Sequence, residues 1–379
     1  MAYYCVAFAI SIVLMICFHL SQDRVGENKY KLILKYKGVR INQRKTGAYL
    51  TILGALPIIV CSGIRYFVGT DYYSVYWNGY LAISDGLNRV SGSTVKMELG
   101  YYWFNRFLQL FSDSPIFFFV ITSIIVYGCI YYAIVRDSVS PVVSVSFFLL
   151  SGLFFTSLNI VRQYLTIAIV LVLFVYIYKR KFIFFIFGVI ILSFIHLSVL
   201  LVIPLYFIYD MKITPLKGVG IIVICFAVSN FLYQIFYYIL VNTRYSYYFG
   251  NVLYVKDIDV SGIFYALLIS AIAFLSYNGI INMIGNRGQF YFNVLIVFDV
   301  IVAISMKIEL ANRIAMFFRV ISIVITLPLA LKVLPVSKGL RRVTLVFFYV
   351  LFSLATVYMY YFKGNAGVFP YQTIFSRSM

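Results

Sequence analysis

Apolar runs of about 18 residues or more recur along this chain, and that is the length an α-helix needs to cross a hydrocarbon layer. They occupy residues 2–20, 47–64, 115–135, 141–158, 218–240, 262–278, 290–306 and 343–361, with further apolar sequence between them. Of 379 residues, 63% are hydrophobic and 11% charged. That leaves too little polar surface to cover a soluble globule of this size. The runs do not alternate polar with apolar residues, as a β-barrel would require. The expectation is an all-α polytopic membrane protein of about 12 transmembrane helices, with a range of 11 to 13. They form a single integrated domain over residues 1–379, with both termini outside.

The net charge of +19 raises the possibility of nucleic acid as a partner, but its distribution argues against one. Basic residues gather in short connections between runs, as the positive-inside rule expects. The loop 21–46 holds Arg24, Lys29, Lys31, Lys35, Lys37, Arg40, Arg44 and Lys45 against Asp23 and Glu27, and is assigned to the cytoplasm. Its role is topological, with contact to anionic membrane lipids as a second option. The five cysteines lie within apolar runs and show no Cys-x-x-Cys spacing, so neither disulfides nor zinc is expected. With only two histidines, His19 and His196, a histidine-based metal site lacks ligands, and no cofactor is indicated. Residues 1–20 lack a basic n-region and read as a retained first helix.

Two segments depart from plain spanning helix. Residues 65–114 form the longest outward-facing segment and contain both tryptophans, Trp77 and Trp103. Within it, Glu98, Tyr101, Tyr102 and Asn105 recur at helical spacing on one face of a short amphipathic helix. The second is the run 182–209, which has basic residues at both ends and so crosses an even number of times. Two full crossings need about 40 residues, more than this run has. A short broken hairpin is expected, with His196 and Ser198 at its turn. Irregular backbone at membrane depth is tolerated where it lines a cavity or is buried in protein.

Candidate chemistry follows from these places. Asn159, Arg162 and Gln163 share one helix face at the outer start of a span, where a helix N-terminus favours anions. Arginine matches phosphate oxygens with a planar fork. The competing reading is interfacial snorkelling by Arg162 and capping by Asn159. His196 is either a satisfied core histidine or a general base on a hydroxyl. Arg65, Arg313 and Arg319 approach the same outer level, and Asp299 is a candidate partner for Arg319, as is Glu309. Asp71 and Glu98 are the outer carboxylates nearest the aromatic clusters, suited to sugar hydroxyls and rings. A paired-carboxylate glycosidase-like dyad is also compatible with them. For the whole 65–114 segment, a solvated loop with interfacial aromatic anchors is the bland alternative.

Taken together, these residues resemble a known family. Arg65 through Gly69-Thr70-Asp71-Tyr72 to Tyr76, Glu98-x-Gly100-Tyr101 to Asn105, Leu158-Asn159-x-x-Arg162-Gln163, and His196-x-Ser198 with Pro204 are similar to the EpsG/Wzy-type bacterial polysaccharide polymerases. The closing Pro370-Tyr371 is similar in character, while Val199 stands where the family carries a small residue. The resemblance implies a GT-C-like fold and a metal-independent glycosyltransferase in the bacterial cytoplasmic membrane, with its active site facing the periplasm. Its substrates would be oligosaccharides carried on undecaprenyl pyrophosphate, and a chain-length regulator protein is an implied partner. The implied catalytic set is His196, Asp71, Glu98 and Arg162. The pyrophosphate would meet Arg65, Arg162, Arg313 and Arg319, and the sugars Tyr72, Tyr101, Asn105, Asn159, Gln163 and Ser198. Two rival classes are an O-antigen ligase, whose large outer loop falls late in the chain, and a lipid-linked oligosaccharide flippase, which would spread basic residues through many helices.

Overall fold

A computed structural model describes residues 1–23, 42–85, 97–242, 260–305 and 309–378. Most of the basic loop expected at 21–46, residues 24–41, lies outside the described residues, as does the outer loop 243–259. The described chain is helical, with one isolated bridge between Arg65 and Thr373. It divides into two compact units, Met1–Leu200 with Val346–Met379, and Leu201–Leu345.

In the first unit the order is α1 (Ala2–Asp23), α2 (Asn42–Gly63), a π-helical turn (Tyr72–Trp77), α3 (Asn78–Ser84), α4 (Leu99–Gln109), α5 (Pro115–Asp137), α6 (Pro141–Leu150), α7 (Leu153–Asn159), α8 (Val161–Tyr178) and α9 (Phe182–Ser193). Pro115 and Pro141 open α5 and α6, where a missing N–H costs nothing because the first helical donors have no internal partner. Helix α2 lies along α1 and α5, and α5 along α8. Between α6 and α7 the axis bends by 57° at Gly152, whose φ of +82° suits glycine. The outer segment has its own small core, in which Tyr72, Tyr76, Tyr80, Tyr101 and Leu108 pack on Phe118 and Phe119 at the start of α5. The run 182–209 is helical to Ser193, breaks over Phe194–His196 and resumes as a 3-10 turn from Leu197 to Val202 and a short α10 (Leu205–Ile208).

The second unit, which begins at Leu201, contains α10 and then α11 (Pro215–Ala227), α12 (Ser229–Leu240), α13 (Val260–Leu275), α14 (Tyr277–Ile284), α15 (Asn286–Ser305), α16 (Glu309–Ile321), a π-helical stretch (Ser322–Thr326) and α17 (Leu327–Val333). Helix α15 buries Gln289, Asn293 and Asp299, and each makes a side-chain hydrogen bond. Asn293 Nδ2 donates to the carbonyls of Ile208 and Met211, both at 2.7 Å, and Gln289 Nε2 to Ile213 O at 2.9 Å. A long final helix, α18 (Lys338–Thr356), continues as π-helix to Phe362.

Among the described residues, five helices are long and apolar enough to cross a membrane, or seven if each bent pair is one span. Shorter apolar helices at Ala2–Cys17, Leu53–Gly63, Phe182–Ser193, Leu197–Ile208 and Pro215–Ala227 occupy further stretches that the sequence assigned to spans. The chain is therefore an all-helical multi-pass protein.

Candidate active site

Construction of the site begins where a span is interrupted. Ile160, at φ −89° and ψ 54°, separates α7 from α8. In a continuous helix the Leu158 carbonyl would accept from the Arg162 N–H. Here the carbonyl finds another partner. Arg65 Nη2 donates to Leu158 O at 2.9 Å, and the buried Tyr76 lies beside the Val161 and Arg162 backbone. The break thus does not leave the Leu158 carbonyl bare in an apolar setting.

Asn159 ties the break to the outer segment. Its Oδ1 accepts from Thr70 Oγ1 at 3.0 Å and from the Asp71 N–H at 3.3 Å, while its Nδ2 donates to Ala366 O at 3.0 Å. Gly69, at φ +109°, makes the approach possible, because a Cβ there would lie 2.9 Å from Asn159 Oδ1. The segment after α18 closes the same knot. Gly69 N donates to Gly367 O at 2.9 Å, Tyr66 N to Gln372 O at 2.9 Å and the Tyr4 hydroxyl to Val368 O at 3.0 Å.

This clasp fixes the first turn of α8, which carries Arg162. Arg162 Nη1 donates to Glu98 Oε2 at 2.7 Å, and its guanidinium lies 5.3 Å above the Tyr101 ring. Glu98 precedes α4 and reaches His196 with its other oxygen, Oε1 standing 4.0 Å from Nδ1. A carboxylate, a guanidinium and an imidazole from three separate elements therefore come together, with side chains 15%, 24% and 25% exposed. They are accessible enough to meet a substrate and enclosed enough for their charges to act strongly.

The distance between Glu98 and His196 is set by backbone contact. The N–H groups of Gly100 and Tyr101, in the first turn of α4, both donate to Phe194 O, at 2.8 and 3.2 Å. Phe194 lies in the break that follows α9, two residues before His196. Gly100 is needed because a Cβ there would sit 2.9 Å from the Phe194 carbonyl carbon and oxygen. Burial pushes the Tyr76 and Tyr101 hydroxyls well above the usual phenol range, so both act as neutral hydroxyls here and not as bases.

Of the residues singled out from sequence, Glu98, Arg162 and His196 come together directly, with Tyr101 beneath them. Asp71 and Asn159 stand at the adjoining clasp. Arg65 is buried, 2% exposed, with Nη1 donating to Ser62 Oγ at 3.2 Å and the guanidinium 5.0 Å over the Phe119 ring. Its position past the end of α2 and against the last turn of α7 suits a cation, since both are helix C-terminal ends. Tyr72 is fully buried, stacked on Phe119 at 4.2 Å, with its hydroxyl donating to Arg65 O at 3.1 Å. Asn105 is buried, donating to Tyr101 O at 2.7 Å, and Gln163 is buried on α8. Ser198 lies in the 3-10 turn after the break. Arg313 and Arg319 belong to the second unit. There Arg319 Nη2 donates to Asn312 Oδ1 at 3.3 Å and lies 5.9 Å over the Phe298 ring. Asp299, expected as a partner for Arg319, instead accepts from Ser270 Oγ at 2.5 Å. The Glu309 side chain lies outside the described residues.

Three contributors have roles that residue type alone does not show: Gly100 as a contact residue, Tyr76 packed beside the start of α8, and the turn at 364–373. The Glu98-x-Gly100 spacing is a usable signal for the first. Tyr76 and Pro370-Tyr371 stand among the residues that carry the resemblance, but no local pattern gives their contacts, which act across long stretches of chain.

No curated protein and no solved structure matches the chain. Its clasp and its Glu98–Arg162–His196 cluster are built from the four motifs that resembled one polymerase family, and residues 48–373 match that family's sequence profile, so the chain belongs to the EpsG family, a family of Wzy-type polysaccharide polymerases.

Proposed function

We propose that this protein joins oligosaccharide repeat units carried on undecaprenyl pyrophosphate, on the outer face of a bacterial cytoplasmic membrane. It transfers the growing chain from its lipid to the non-reducing end of a new lipid-linked unit. The observation that carries the reading is the sharing of Glu98 between Arg162 and His196. With Nδ1 facing Glu98, Nε2 is the His196 nitrogen that would meet an acceptor hydroxyl, the arrangement in which a carboxylate orients an imidazole base.

In the step, the acceptor hydroxyl oxygen attacks the anomeric carbon of the chain's lipid-linked sugar. The bond from that carbon to the pyrophosphate oxygen breaks, the hydroxyl proton passes to His196, and the lipid pyrophosphate leaves. Arg162 stabilises the negative charge that develops on the leaving group with its remaining N–H donors. On this reading the 4.0 Å gap between Glu98 and His196 tightens when substrate binds, as catalytic hydrogen bonds commonly do. We assign Asp71, on the neighbouring clasp, to a sugar hydroxyl. We assign the pyrophosphate to Arg162 over Arg65 because Arg65 is buried and holds the α7 end.

The reading needs no metal, and among the described residues no three His, Cys, Asp or Glu side chains gather as ligands. Turnover that persists in excess chelator supports this part, and restoration by an added divalent ion ends it. A membrane protein that regulates chain length is the expected partner.

The central test is turnover of purified lipid-linked repeat units by Arg162→Ala, Arg162→Lys and His196→Asn proteins in nanodiscs. Loss of a charge-assisted contact to the leaving group should slow Arg162→Ala by on the order of 10²-fold or more. Lys should restore it only partly, since an ammonium lacks the fork. Wild-type turnover in Arg162→Ala would transfer the pyrophosphate role to Arg313 or Arg319.

A further inference from the structure

Phe67 adopts φ +53°, a conformation that bulky side chains rarely take. The backbone on both sides holds it there. Tyr66 N and Gly69 N are bonded to the 364–373 turn, and Val68 between them is fully buried. The result of the strained turn is that the Phe67 ring faces outward. It lies against Tyr73, with centroids 5.0 Å apart and planes 21° from parallel, and the two residues remain 49% and 47% exposed. A backbone strained at one residue in order to present an aromatic ring to solvent calls for a functional account.

The neighbouring groups indicate what would lie on it. Phe67 also meets Tyr66 edge-on, with centroids 4.6 Å apart, and Tyr72 at 6.1 Å, so the pair is braced on its inner side while about half of each residue stays exposed. Asp71 and the exposed Thr70 and Ser74 border the pair in sequence. Tyr73 lies in the same π-helical turn as Tyr76, which is buried beside the start of α8. An apolar ring face bordered by hydroxyls and a carboxylate complements a pyranose, whose axial C–H groups form an apolar face and whose equatorial hydroxyls point to the rim.

We propose that Phe67 and Tyr73 form a stacking subsite for a pyranose ring of the oligosaccharide substrate, which deepens the polymerase reading and rests on it. Tyr72, one of the aromatics that the family resemblance implies for sugar contact, is buried beside the pair. The rings that meet the sugar are its neighbours on either side of the turn.

The test separates stacking from anchoring in the membrane interface, where an aliphatic side chain serves as well as a ring. Wild-type protein and the Phe67→Leu, Tyr73→Leu, Phe67→Trp and Phe67→Gly variants are placed in nanodiscs. The probe is lipid-free oligosaccharide cut from the host's own polysaccharide, followed by saturation-transfer NMR. Wild type and Phe67→Trp should saturate the axial C–H protons of one ring. Both Leu variants should bind about 3- to 10-fold more weakly, the range expected for loss of one aromatic stack. Phe67→Gly relieves the strained φ, so it should be at least as heat-stable as wild type and still bind weakly, which removes misfolding as an explanation. In the turnover assay the Leu variants should raise KM and leave kcat near wild type. Unchanged binding and KM in both Leu variants would overturn the subsite and leave the polymerase reading intact. Ring-dependent binding by a protein without polymerase turnover would keep the subsite and retire the polymerase reading.

Discussion

Replacing Gly100 by Ala probes the geometry of the cluster without touching any of its charged groups. The added Cβ would lie 2.7 Å from Phe194 Cβ and 2.9 Å from the Phe194 carbonyl carbon and oxygen. Two of those three atoms are backbone and cannot swing away. For ordinary contact α4 must withdraw by roughly half an ångström or more, and the 2.8 and 3.2 Å bonds from Gly100 and Tyr101 to Phe194 O lengthen with it. Overpacking of this kind costs about 1–3 kcal/mol. Ala in place of Gly returns up to ~1 kcal/mol through helix propensity, so the net loss of stability is small. The loss of rate is larger, because Glu98 moves with α4 and His196 moves with Phe194. Misplacement on this scale costs on the order of 10²-fold when a base must be held in line. The assay is turnover on purified lipid-linked units, with thermal unfolding measured on the same preparation. Gly128→Ala is the matched control, since a Cβ on Gly128 in α5 meets nothing within 4 Å, and it should be neutral or slightly stabilising. Wild-type turnover in a stable Gly100→Ala protein would refute the claim that this contact sets the catalytic spacing.

The other predictions concern the clasp and the topology. Arg65→Met leaves the Leu158 carbonyl without a donor in an apolar setting and should destabilise by about 1–3 kcal/mol, seen as a lowered melting temperature; Arg65→Lys should recover only part, because one ammonium does not span Leu158 O and Ser62 Oγ as the fork does. Asn159→Asp removes the donor to Ala366 O and sets a carboxylate against that carbonyl, with a loss of similar size and slower turnover; an unchanged melt would show that the contact is idle. Cysteine labelling in intact cells should reach positions within 65–114 from outside and should not reach 21–46. Labelling of Lys212 or Lys217 positions from outside would refute an even number of crossings for 182–209.

Much of this arrangement was legible because membranes impose strong local rules. Apolar run length shows a polytopic helical chain, and the polar residues that interrupt it, Glu98, Asn159, Arg162 and His196, are conspicuous because intramembrane and interfacial polar groups are costly. Their roles divided along a line the sequence does not show. Arg65 and Arg162 look alike as arginines near the outer level, yet one is enclosed by Ser62, Phe119 and Leu158 and the other meets Glu98 where both side chains stay partly exposed. Tyr72 and Tyr73 are adjacent and identical, and the π-helical turn sends one inward and the other outward. Such differences depend on backbone geometry at Phe67, Ile160 and the 364–373 turn, which neither residue type nor spacing encodes.

The knot around Asn159 also has a bearing on how the protein is made. Its strands come from opposite ends of the chain: Tyr4 bonds to Val368, 364 residues later, and Asn159 waits on Ala366. During synthesis the helices of the first unit enter the membrane long before the segment that follows the final helix has left the ribosome. Until that segment crosses and folds back, the Asn159 Nδ2 group and the N–H of Gly69 lack their final acceptors, and the turn bearing Arg162 is not yet held. If the protein is a polymerase of the kind proposed, a nascent or truncated chain already exposed to carrier lipid stays silent. On that reading catalytic competence arrives late in biogenesis, and a carrier lipid is not engaged by unfinished enzyme.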